Sequence, residues 1–401
     1  MRICVVSQEY AGATPYWGGL GAQYAHVMPE LVRLGYDVTL VTKRHDGHVA
    51  PDVLDGVRVV AIDDVDRRLP IAPALWARRV ASALDGLPDL DVVLAPEFGG
   101  ELATYARRRS RPPVVTHLVT SLRQLLSVRE DLTRLQRSGP RAQVDLLLER
   151  RQTQASDVLL GAGAAVVAWA RELWPATAAI PTRTLPLAVD SEQVRALAAA
   201  GSLPESFPRG PEPTVVLPSR LDAHKGIDEL IRAMRVVWER HPDAQLVFVG
   251  RDAQFQGRPT SEHLHEVAGD RASSVHITGF LEPADYFACV QAATVVAIPS
   301  RWESYCLAAV EALALGRPLV ATAGHGFDEY AVDGESALLV PRRDPAALAR
   351  AIEALLDDAD LRERLAAPGP AIADTHRPAV LAPRWGAFFE DVAAGAVAAG
   401  A

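Results

Sequence analysis

Cysteine is scarce in this chain. Cys4, Cys289 and Cys306 are the only three in 401 residues, and they lie far apart. This spacing excludes a disulfide framework, and the histidines and cysteines lack the short paired spacing of a metal-ligand cluster. We therefore predict a protein of the reducing cytoplasm that needs neither a bound metal nor another cofactor. The opening MRICVVSQEY also lacks the charged and then apolar pattern of a signal peptide.

Long apolar runs and basic patches are missing as well. No uninterrupted apolar run reaches the roughly 18–20 residues of a membrane span. The net charge is −9, and no stretch alternates lysine or arginine with aromatic residues, so a nucleic-acid partner is not expected. The arginine run at 107–111 is explained as well by a solvated helix end. A strongly basic amphipathic stretch near the N-terminus is also lacking, which makes membrane association unlikely.

The composition and the length of the chain predict a globular protein of two domains. Hydrophobic residues make up 49% and charged residues 23%, as is typical of soluble proteins. A chain of 401 residues predicts two domains, at about 100–200 residues per domain. The stretch GSLPESFPRGPEP, residues 201–213, has no periodic apolar pattern and predicts a linker. The predicted domains are therefore residues 1–200 and 214–375, followed by a C-terminal segment at 376–401.

Short apolar runs alternate with helical segments in both parts, which predicts an α/β fold of doubly wound parallel sheets. The strands predicted in the first part are Arg2–Ser7, Asp37–Thr42, Val57–Ile62, Val92–Ala95, Val114–Leu118, Val158–Gly161 and Thr184–Val189. Those predicted in the second part are Thr214–Pro218, Gln245–Gly250, Val275–Gly279, Val295–Pro299, Pro318–Ala321 and Ala337–Val340. In such sheets, ligands bind beyond the carboxyl ends of the strands.

Two glutamates flank the start of a predicted helix in PSRWESYCLAAVEALALGRP, residues 299–318. If the helix begins near Leu307, Glu303 lies in the preceding turn and Glu311 about one turn inside. A phosphate could then bind the backbone amides of Tyr305, Cys306 and Leu307, while the carboxylates accept hydrogen bonds from sugar hydroxyls. A nucleotide sugar presents both kinds of group. An acid beside the helix start and a solvated helix residue remain an equally open interpretation.

Two cations occupy the turn SRLDAHKG, residues 219–226, after the first strand of the second part. Arg220 and Lys225 are five residues apart, so both side chains could reach one diphosphate. The alternative, surface charges at a helix start, runs against the preference for acids at that end. The spacing therefore favours a functional pair.

Several weaker motifs lie at other predicted strand ends. The glycine-rich YWGGLG, residues 16–21, allows close approach of the backbone to a ligand or forms a tight turn. His117 ends a strand and would face the ligand edge, although a structural histidine is the commoner case. The remaining candidates are Glu97 and Glu101 in PEFGGE, Phe280 and Leu281 after Gly279, and His325 with Gly326.

Together these motifs resemble the family-4 retaining glycosyltransferases with the GT-B fold, over nearly the whole chain. The motifs that carry the resemblance are YWGGLG, VVTH, SRLDAHKG, VHITGFL, PSRWESYCLAAVEAL and HGFDEYAVDGESALLVP. The resemblance implies two Rossmann-like domains facing across a cleft, with the acceptor on the N-terminal domain and a nucleoside diphosphate sugar on the C-terminal one. It also implies a last helix, Ala379–Ala394 with Trp385, that returns to the first domain.

The resemblance also implies roles for individual residues. Arg220 and Lys225 match the pair that neutralises the donor diphosphate, and Glu311 matches the acid that contacts the ribose. Glu303 matches the acid beside the transferred sugar. His117 matches the histidine whose side chain or backbone meets that sugar, and Gly19 matches the glycine loop that closes against it.

This chain departs from the family pattern twice. Ser304, Tyr305 and Cys306 replace glycine, phenylalanine and glycine after the first acid, and His325 with Gly326 replaces a pair of glycines. Both changes touch the expected donor-sugar pocket, so the resemblance leaves the identity of the sugar open.

The implied reaction is sugar transfer to an acceptor hydroxyl with retention and without a metal. A nucleotide-sugar phosphorylase or hydrolase, or a non-catalytic nucleotide-sugar-binding protein, would use the same pocket. On the acceptor side we expect Tyr10, Tyr16, Trp17, Glu97 and Glu101. This set suits a polar or amino-bearing small molecule, although a polysaccharide or lipid head group is equally open. The sequence carries no signal for the oligomeric state.

Overall fold

A computed structural model describes residues 1–66, 68–129, 131–255 and 257–397. The chain divides into two units. The first comprises residues 1–126, 134–188 and the described chain from Pro378 onwards, and the second comprises residues 127–133 and 189–377. The division thus follows Ala188, whereas the sequence placed the linker at 201–213, inside what is the second unit. Residues 398–401 of the predicted C-terminal segment lie outside the described residues.

The first unit is built on an eight-stranded sheet in the order β3-β4-β2-β1-β5-β6-β7-β8. Its strands are β1 (Arg2–Val6), β2 (Asp37–Lys43), β3 (Val53–Leu54), β4 (Val57–Ile62), β5 (Val92–Pro96), β6 (Val114–Leu118), β7 (Val158–Gly161) and β8 (Thr182–Thr184). All neighbours pair in parallel except β3, which runs antiparallel to β4. The strand predicted at 184–189 is wrong: Pro186 has no N–H for a ladder, and the last strand lies just before it.

Helices cover both faces of this sheet. On one face Tyr24, Met28 and Leu31 form a core with Trp385 and Phe389, and on the other Trp76 and Val80 pack with the strands. Because both faces are covered by helices, the strands are buried and predominantly apolar. The helices of this unit, with α3 running two residues beyond it, are α1 (Gly19–Arg33), α2 (Ala72–Asp85), α3 (Leu122–Val128), α4 (Arg134–Ser138), α5 (Pro140–Ala155), α6 (Ala164–Leu173) and, from the end of the chain, the helix Pro378–Ala393.

The second unit has a six-stranded parallel sheet in the order β13-β10-β9-β14-β15-β16. A two-stranded antiparallel pair, β11 with β12, accompanies it. The strands are β9 (Thr214–Leu217), β10 (Gln245–Phe248), β11 (Gln254–Phe255), β12 (Arg258–Pro259), β13 (Val275–Ile277), β14 (Val295–Ile298), β15 (Leu319–Thr322) and β16 (Leu338–Val340). The six predicted strands of this part all occur, and the doubly wound α/β fold class is confirmed.

The strand order of this sheet reverses between β9 and β14, since the chain runs outward from β9 to β13 and then returns to β14. Such a reversal opens a crevice outside the carboxyl ends of the two central strands. The helices of the second unit are α7 (Ser191–Ala200), α8 (Ile227–Arg240), α9 (Thr260–Ala268), α10 (Pro283–Gln291), α11 (Leu307–Ala314), α12 (Pro345–Asp357), α13 (Ala359–Ala366) and α14 (Gly369–Asp374), and the chain ends with α15 (Pro378–Ala393) in the first unit. Within the described residues, none of the helices is long and apolar enough to cross a membrane.

Candidate functional site

Three loops of the second unit meet at the point where its strand order reverses. They follow β9, β14 and β15, which are neighbours in the sheet, and they comprise residues 218–226, 299–306 and 323–329. Because these strands are parallel, all three loops leave the same edge. Most of the residues singled out for the donor lie on these loops or on the first turns of α11.

Lys225 and Glu303 form an ion pair across two of these loops. The Lys225 Nζ lies 2.7 Å from Glu303 Oε1, and the Ser300 hydroxyl donates to the same oxygen at 2.7 Å. Burial disfavours the ammonium, but the neighbouring Glu303 charge and hydrogen bond outweigh that cost and raise the pKa of Lys225. The lysine is therefore fully charged at neutral pH and held in one place.

Gly226 permits this approach of the two loops. Its φ of +74° is a left-handed conformation, and a Cβ there would lie 2.0 Å from the carbonyl oxygen of Pro299. Only glycine satisfies both conditions. The glycine after Lys225 thus lets the β9 loop lie directly against the β14 loop.

The helix α11 begins at Leu307, as the sequence predicted. Its N-cap is Cys306 with φ +77°, a left-handed conformation at a residue other than glycine. The Ala309 N–H donates to the Cys306 carbonyl at 3.2 Å. The N–H groups before it stand at the helix start, where such groups lack intrahelical partners and, together with the dipole, attract an anion. Burial raises the pKa of the Cys306 thiol, with Glu303 adding to the shift and Lys225 opposing it, so all three groups are close.

Glu311 lies one turn inside α11. Its Oε2 accepts a hydrogen bond of 3.0 Å from the Tyr286 hydroxyl. Burial raises the pKa of this carboxyl to about 7, although the tyrosine bond acts in the opposite direction. The carboxyl oxygens of Glu311 can accept hydrogen bonds from hydroxyl groups.

Arg220 points to solvent from the β9 loop. Its side chain is 69% exposed and its guanidinium lies 3.0 Å from a carboxylate oxygen of Asp222. Beyond β13, Phe280 is exposed and the guanidinium of Arg251 lies 4.3 Å from the centre of its ring. Leu281, next in the chain, is partly buried. An exposed cation and an exposed aromatic face are both suited to a ligand with phosphates and a ring.

Tyr305 contributes its backbone, because its side chain is buried. The Tyr305 hydroxyl lies 2.6 Å from His376 Nε2, and the Tyr330 hydroxyl donates to the carbonyl groups of Tyr305 and Cys306 at 2.9 and 3.1 Å. The last residues before α11 are thereby fixed from both sides.

In the first unit, His117 differs from the expectation. Its side chain has no exposed surface, its Nδ1 lies 3.1 Å from the Tyr24 hydroxyl, and its ring meets that of Trp385 edge-on at 5.6 Å. Burial lowers the pKa of His117 to about 3, so the imidazole is neutral. The side chain is therefore enclosed by its neighbours and has no exposed face at the ligand edge, while a contact of His117 with the donor sugar stays a prediction.

The acids expected on the acceptor side are buried too, contrary to expectation. Both oxygens of Glu97 accept from the Val119 N–H, and Glu101 Oε1 accepts from Gln8 and from the Trp76 indole. Burial raises the pKa of Glu97 to about 8. These carboxyls bind the protein's own backbone and side chains, so their structural role is to brace loops.

The aromatic residues expected on that side do lie at the surface, except Tyr10, which is buried. Tyr16 is 57% and Trp17 50% exposed, and Gly19 is the exposed first residue of α1. Tyr16 also borders a cavity of about 620 Å³ in the first unit. The other residues lining this cavity are Arg44, His45, Asp46, Asp63, Asp64, Val65 and Asp66.

Sequence reasoning missed the residues that hold Glu303 and Glu311. Ser300, Thr322 and Tyr286 are small or neutral polar residues whose spacing carries no recognisable signal. The only available signal was position, since Ser300 and Thr322 stand at the carboxyl ends of β14 and β15.

Among the described residues, no group of three or more His, Cys, Asp or Glu is arranged to hold a metal ion.

Comparisons with known proteins agree with this geometry. Residues 18–188 match the family model "Glycosyl transferase 4-like domain", and residues 203–370 match "Glycosyl transferases group 1". The chain is 34% identical over 172 residues to alpha-D-kanosaminyltransferase of Streptomyces kanamyceticus, which covers 42% of this chain and 44% of that protein. It is 26% identical over 390 residues to glycogen synthase of Mycobacterium tuberculosis, covering 91% and 88% of the two chains. The first of these matches thus spans less than half the length of the curated relative.

Solved structures give the same fold over almost the whole chain. Sucrose-phosphate synthase from Thermosynechococcus elongatus has a TM-score of 0.75 at 22% identity, with 98% of this chain and 99% of that chain covered. HepE from Anabaena, in complex with UDP and glucose, has a TM-score of 0.69 at 18% identity, covering 98% and 100%. The fold is therefore that of the GT-B glycosyltransferases. Within that class, the two family models identify this chain as a member of the family-4 glycosyltransferases.

Proposed function

We propose that the protein is a retaining glycosyltransferase that moves a sugar from a nucleoside diphosphate sugar to an acceptor hydroxyl. The observation that carries this proposal is the cluster of Lys225, Glu303 and the amino end of α11 on adjacent loops of the second unit. The cluster combines a fixed cation and helix amides for a diphosphate with carboxyls for hydroxyl groups.

The main catalytic contribution is stabilisation of the leaving diphosphate. As the bond between the anomeric carbon and the phosphate oxygen breaks, negative charge develops on the diphosphate. Lys225, held in place by Glu303, and Arg220, an exposed cation of the β9 loop paired with Asp222, supply positive charge there. The amides at the start of α11 add to it. Because this charge comes from side chains and backbone, we propose that the reaction needs no metal.

Glu303 has a positioning role in this proposal. Its Oε1 is occupied by both Lys225 and Ser300, which favours charge support and orientation of the sugar over attack on the anomeric carbon. The acceptor hydroxyl then gives its proton to the departing phosphate. Glu311 is proposed to accept from ribose hydroxyls, and Phe280 and Leu281 to lie beside the base or ribose.

The acceptor is proposed to be a polar small molecule that binds to the first unit. The exposed rings of Tyr16 and Trp17 offer stacking surfaces for a polyhydroxylated ring. Of the aspartates around the cavity beside Tyr16, Asp63 pairs with Arg44 and Asp64 with Lys43. The remaining acidic charge of Asp46 and Asp66 favours an acceptor with amino groups. A panel of acceptors with and without amino groups, offered with one donor, tests this preference.

The decisive experiment compares the parent protein with Lys225→Ala and Arg220→Ala. Donors that bind are first identified by thermal shift across a nucleotide-sugar panel, because a ligand raises the apparent stability by mass action. Transfer is then followed by product analysis, including the anomeric configuration by NMR. We expect both variants to be folded and slow, with a retained anomer in the parent product.

Other outcomes identify other functions. Sugar phosphate or free sugar formed from donor without an acceptor indicates a phosphorylase or a hydrolase. Tight donor binding without turnover on any acceptor indicates a binding protein. Folded Arg220→Ala and Lys225→Ala variants that transfer sugar at the parent rate contradict the proposed mechanism.

A further inference from the structure

A ring of hydrogen bonds encloses Glu303. The Glu303 backbone N–H donates to His325 Nδ1 at 3.1 Å, and His325 Nε2 lies 2.9 Å from Thr322 Oγ1. The Thr322 hydroxyl donates to the Ser300 carbonyl at 2.6 Å, and the Ser300 hydroxyl returns to Glu303 Oε1 at 2.7 Å. The ring therefore fixes both the peptide and the carboxylate of the same glutamate.

Only one form of His325 satisfies this ring. Nδ1 must carry a lone pair, because the Glu303 N–H is a donor. Nε2 must carry the proton, because the Thr322 hydroxyl already uses its own hydrogen on Ser300 and can only accept. The imidazole is therefore neutral with the proton on Nε2. Burial, which lowers the pKa of His325 to about 4, agrees with the neutral form.

His325 acts through Glu303, since it has no exposed surface with which to touch a ligand. Its ring centre lies 5.7 Å from that of Trp302 and 5.1 Å from that of Phe327. The following Gly326 N–H donates to the Glu303 carbonyl at 3.1 Å. A Cβ on Gly326 would lie 2.4 Å from the backbone nitrogen of Tyr305, so glycine is required for this approach.

We propose that His325 is a positioning residue that holds the Glu303 peptide, and so keeps the Glu303 carboxylate on Lys225. The inference rests on the proposed function, in which that ion pair binds the donor. A glycine, which the family pattern has at this position, offers neither of the two ring-nitrogen bonds. In this chain the Glu303 peptide is thus held by a side chain, that of His325 in the loop after β15.

Three substitutions separate the two bonds of the imidazole. In His325→Asn the amide oxygen takes the place of Nδ1, in His325→Gln the amide nitrogen takes the place of Nε2, and His325→Ala removes both. We expect His325→Gln and His325→Ala to lower kcat/KM for the donor by about 10- to 100-fold, because displacement of a positioned group by about 1 Å has that effect. His325→Asn should keep most of the parent activity, because its amide oxygen still accepts from the Glu303 N–H.

The matched control is His276→Asn on β13. His276 lies on an outer strand of the same sheet, and its Nε2 bonds to Gln245 Oε1 at 2.8 Å. The variant His276→Asn therefore loses a comparable bond at a place away from the three loops. We expect it to keep the parent kcat/KM. Melting temperatures of all variants show how much of each loss is structural.

Three results overturn the inference. The first is that His325→Asn and His325→Gln lose the same activity, and the second is that the losses only follow the melting temperatures. The third is a 15N NMR spectrum of the parent in which His325 carries its proton on Nδ1. The NMR result tests the inference even if the parent transfers no sugar. Absence of turnover in the parent contradicts the proposed function instead.

Discussion

The two sheets carry acids at the same topological position but use them differently. In the first unit, Glu97 follows β5 and accepts from Val119. Glu149, which lies inside α5 and not at a strand end, likewise accepts from the Gly99 and Leu122 amides. In the second unit, Glu303 follows β14 and pairs with the ammonium of Lys225. The first kind of acid is satisfied by backbone of its own unit. The second kind holds a cation that a ligand can also bind.

The two acids therefore differ in their partner and not in their position: Glu97 is bonded to backbone, whereas Glu303, which is proposed to serve the donor site, is bonded to a side-chain cation. A carboxyl whose oxygens are taken by backbone N–H groups joins two loops and has no free capacity for a substrate. A carboxyl paired with a side-chain cation keeps that cation oriented and shares its charge with a ligand. Exposure alone separates them poorly, because Glu303 is also nearly buried.

The largest effect should come from breaking the ion pair of the second unit. We expect Lys225→Ala to lower kcat by about 10²–10³-fold, the range found when one stabilising donor of a developing charge is removed. Steady-state kinetics at saturating donor measure this loss. Arg220, being exposed, should contribute less, and equal losses for both substitutions would contradict the assignment of Lys225 as the fixed cation.

A bracing acid should affect stability instead. Glu149→Ala leaves the Gly99 and Leu122 amides without their acceptor, at about 1–3 kcal/mol for each buried group left unpaired. We expect a loss of about 2–4 kcal/mol in the free energy of unfolding and little change in KM for the donor, measured by urea denaturation and kinetics. If Glu149→Ala instead raised KM for the donor and left the free energy of unfolding unchanged, Glu149 would not be the structural acid that the comparison makes it.

The buried histidines of both units should make stability depend on pH. Burial lowers the pKa of His117 to about 3 and of His325 to about 4. The unfolded chain binds these protons near pH 6.5 and the folded chain does not, so each histidine contributes stability that is fully present above pH 6.5 and is lost towards pH 4, at up to about 1.4 kcal/mol per pH unit. Glu97 and Glu311, whose pKa burial raises to about 8 and about 7, act in the opposite direction as the pH falls. The test is therefore the difference between His325→Asn and the parent in unfolding titrations from pH 7 to pH 4, in which the variant should lose less stability on acidification than the parent.

The smallest effect should come from metal removal. Because Lys225, Arg220 and the amides of α11 supply the positive charge, we expect dialysis against EDTA to leave kcat unchanged. A loss that Mg²⁺ or Mn²⁺ restores would show that the side chains of the second unit are insufficient for the diphosphate.

The sequence predicted the elements well because their signals are local. Apolar runs gave the strands Val114–Leu118 and Val158–Gly161 with the bounds that the structure has, and the start of α11 followed from its composition. Charged residues near strand ends, such as Lys225 and Glu303, were also identifiable. Their pairing was not predicted, since it depends on Gly226 bringing two distant loops together.

The errors have a common physical cause. Glu97, Glu101 and His117 stand at strand ends, as ligand-binding residues do, but packing from elsewhere in the chain buries them. His325 was noted as a weak candidate at a strand end and as a departure from a glycine pair, without a partner. Its bonds to Glu303 and Thr322 join separate loops, and no local pattern of residues encodes such a network.

The helix α15 has a consequence for how the protein is made. Its residues Trp385 and Phe389 belong to the same core as Tyr24 and Met28, which are synthesised several hundred residues earlier. A nascent chain emerges at about 5–20 residues per second, so this core stays incomplete for many seconds while the second unit is being translated. The core on this face of the first sheet can therefore be completed only after the last helix of the chain has been synthesised.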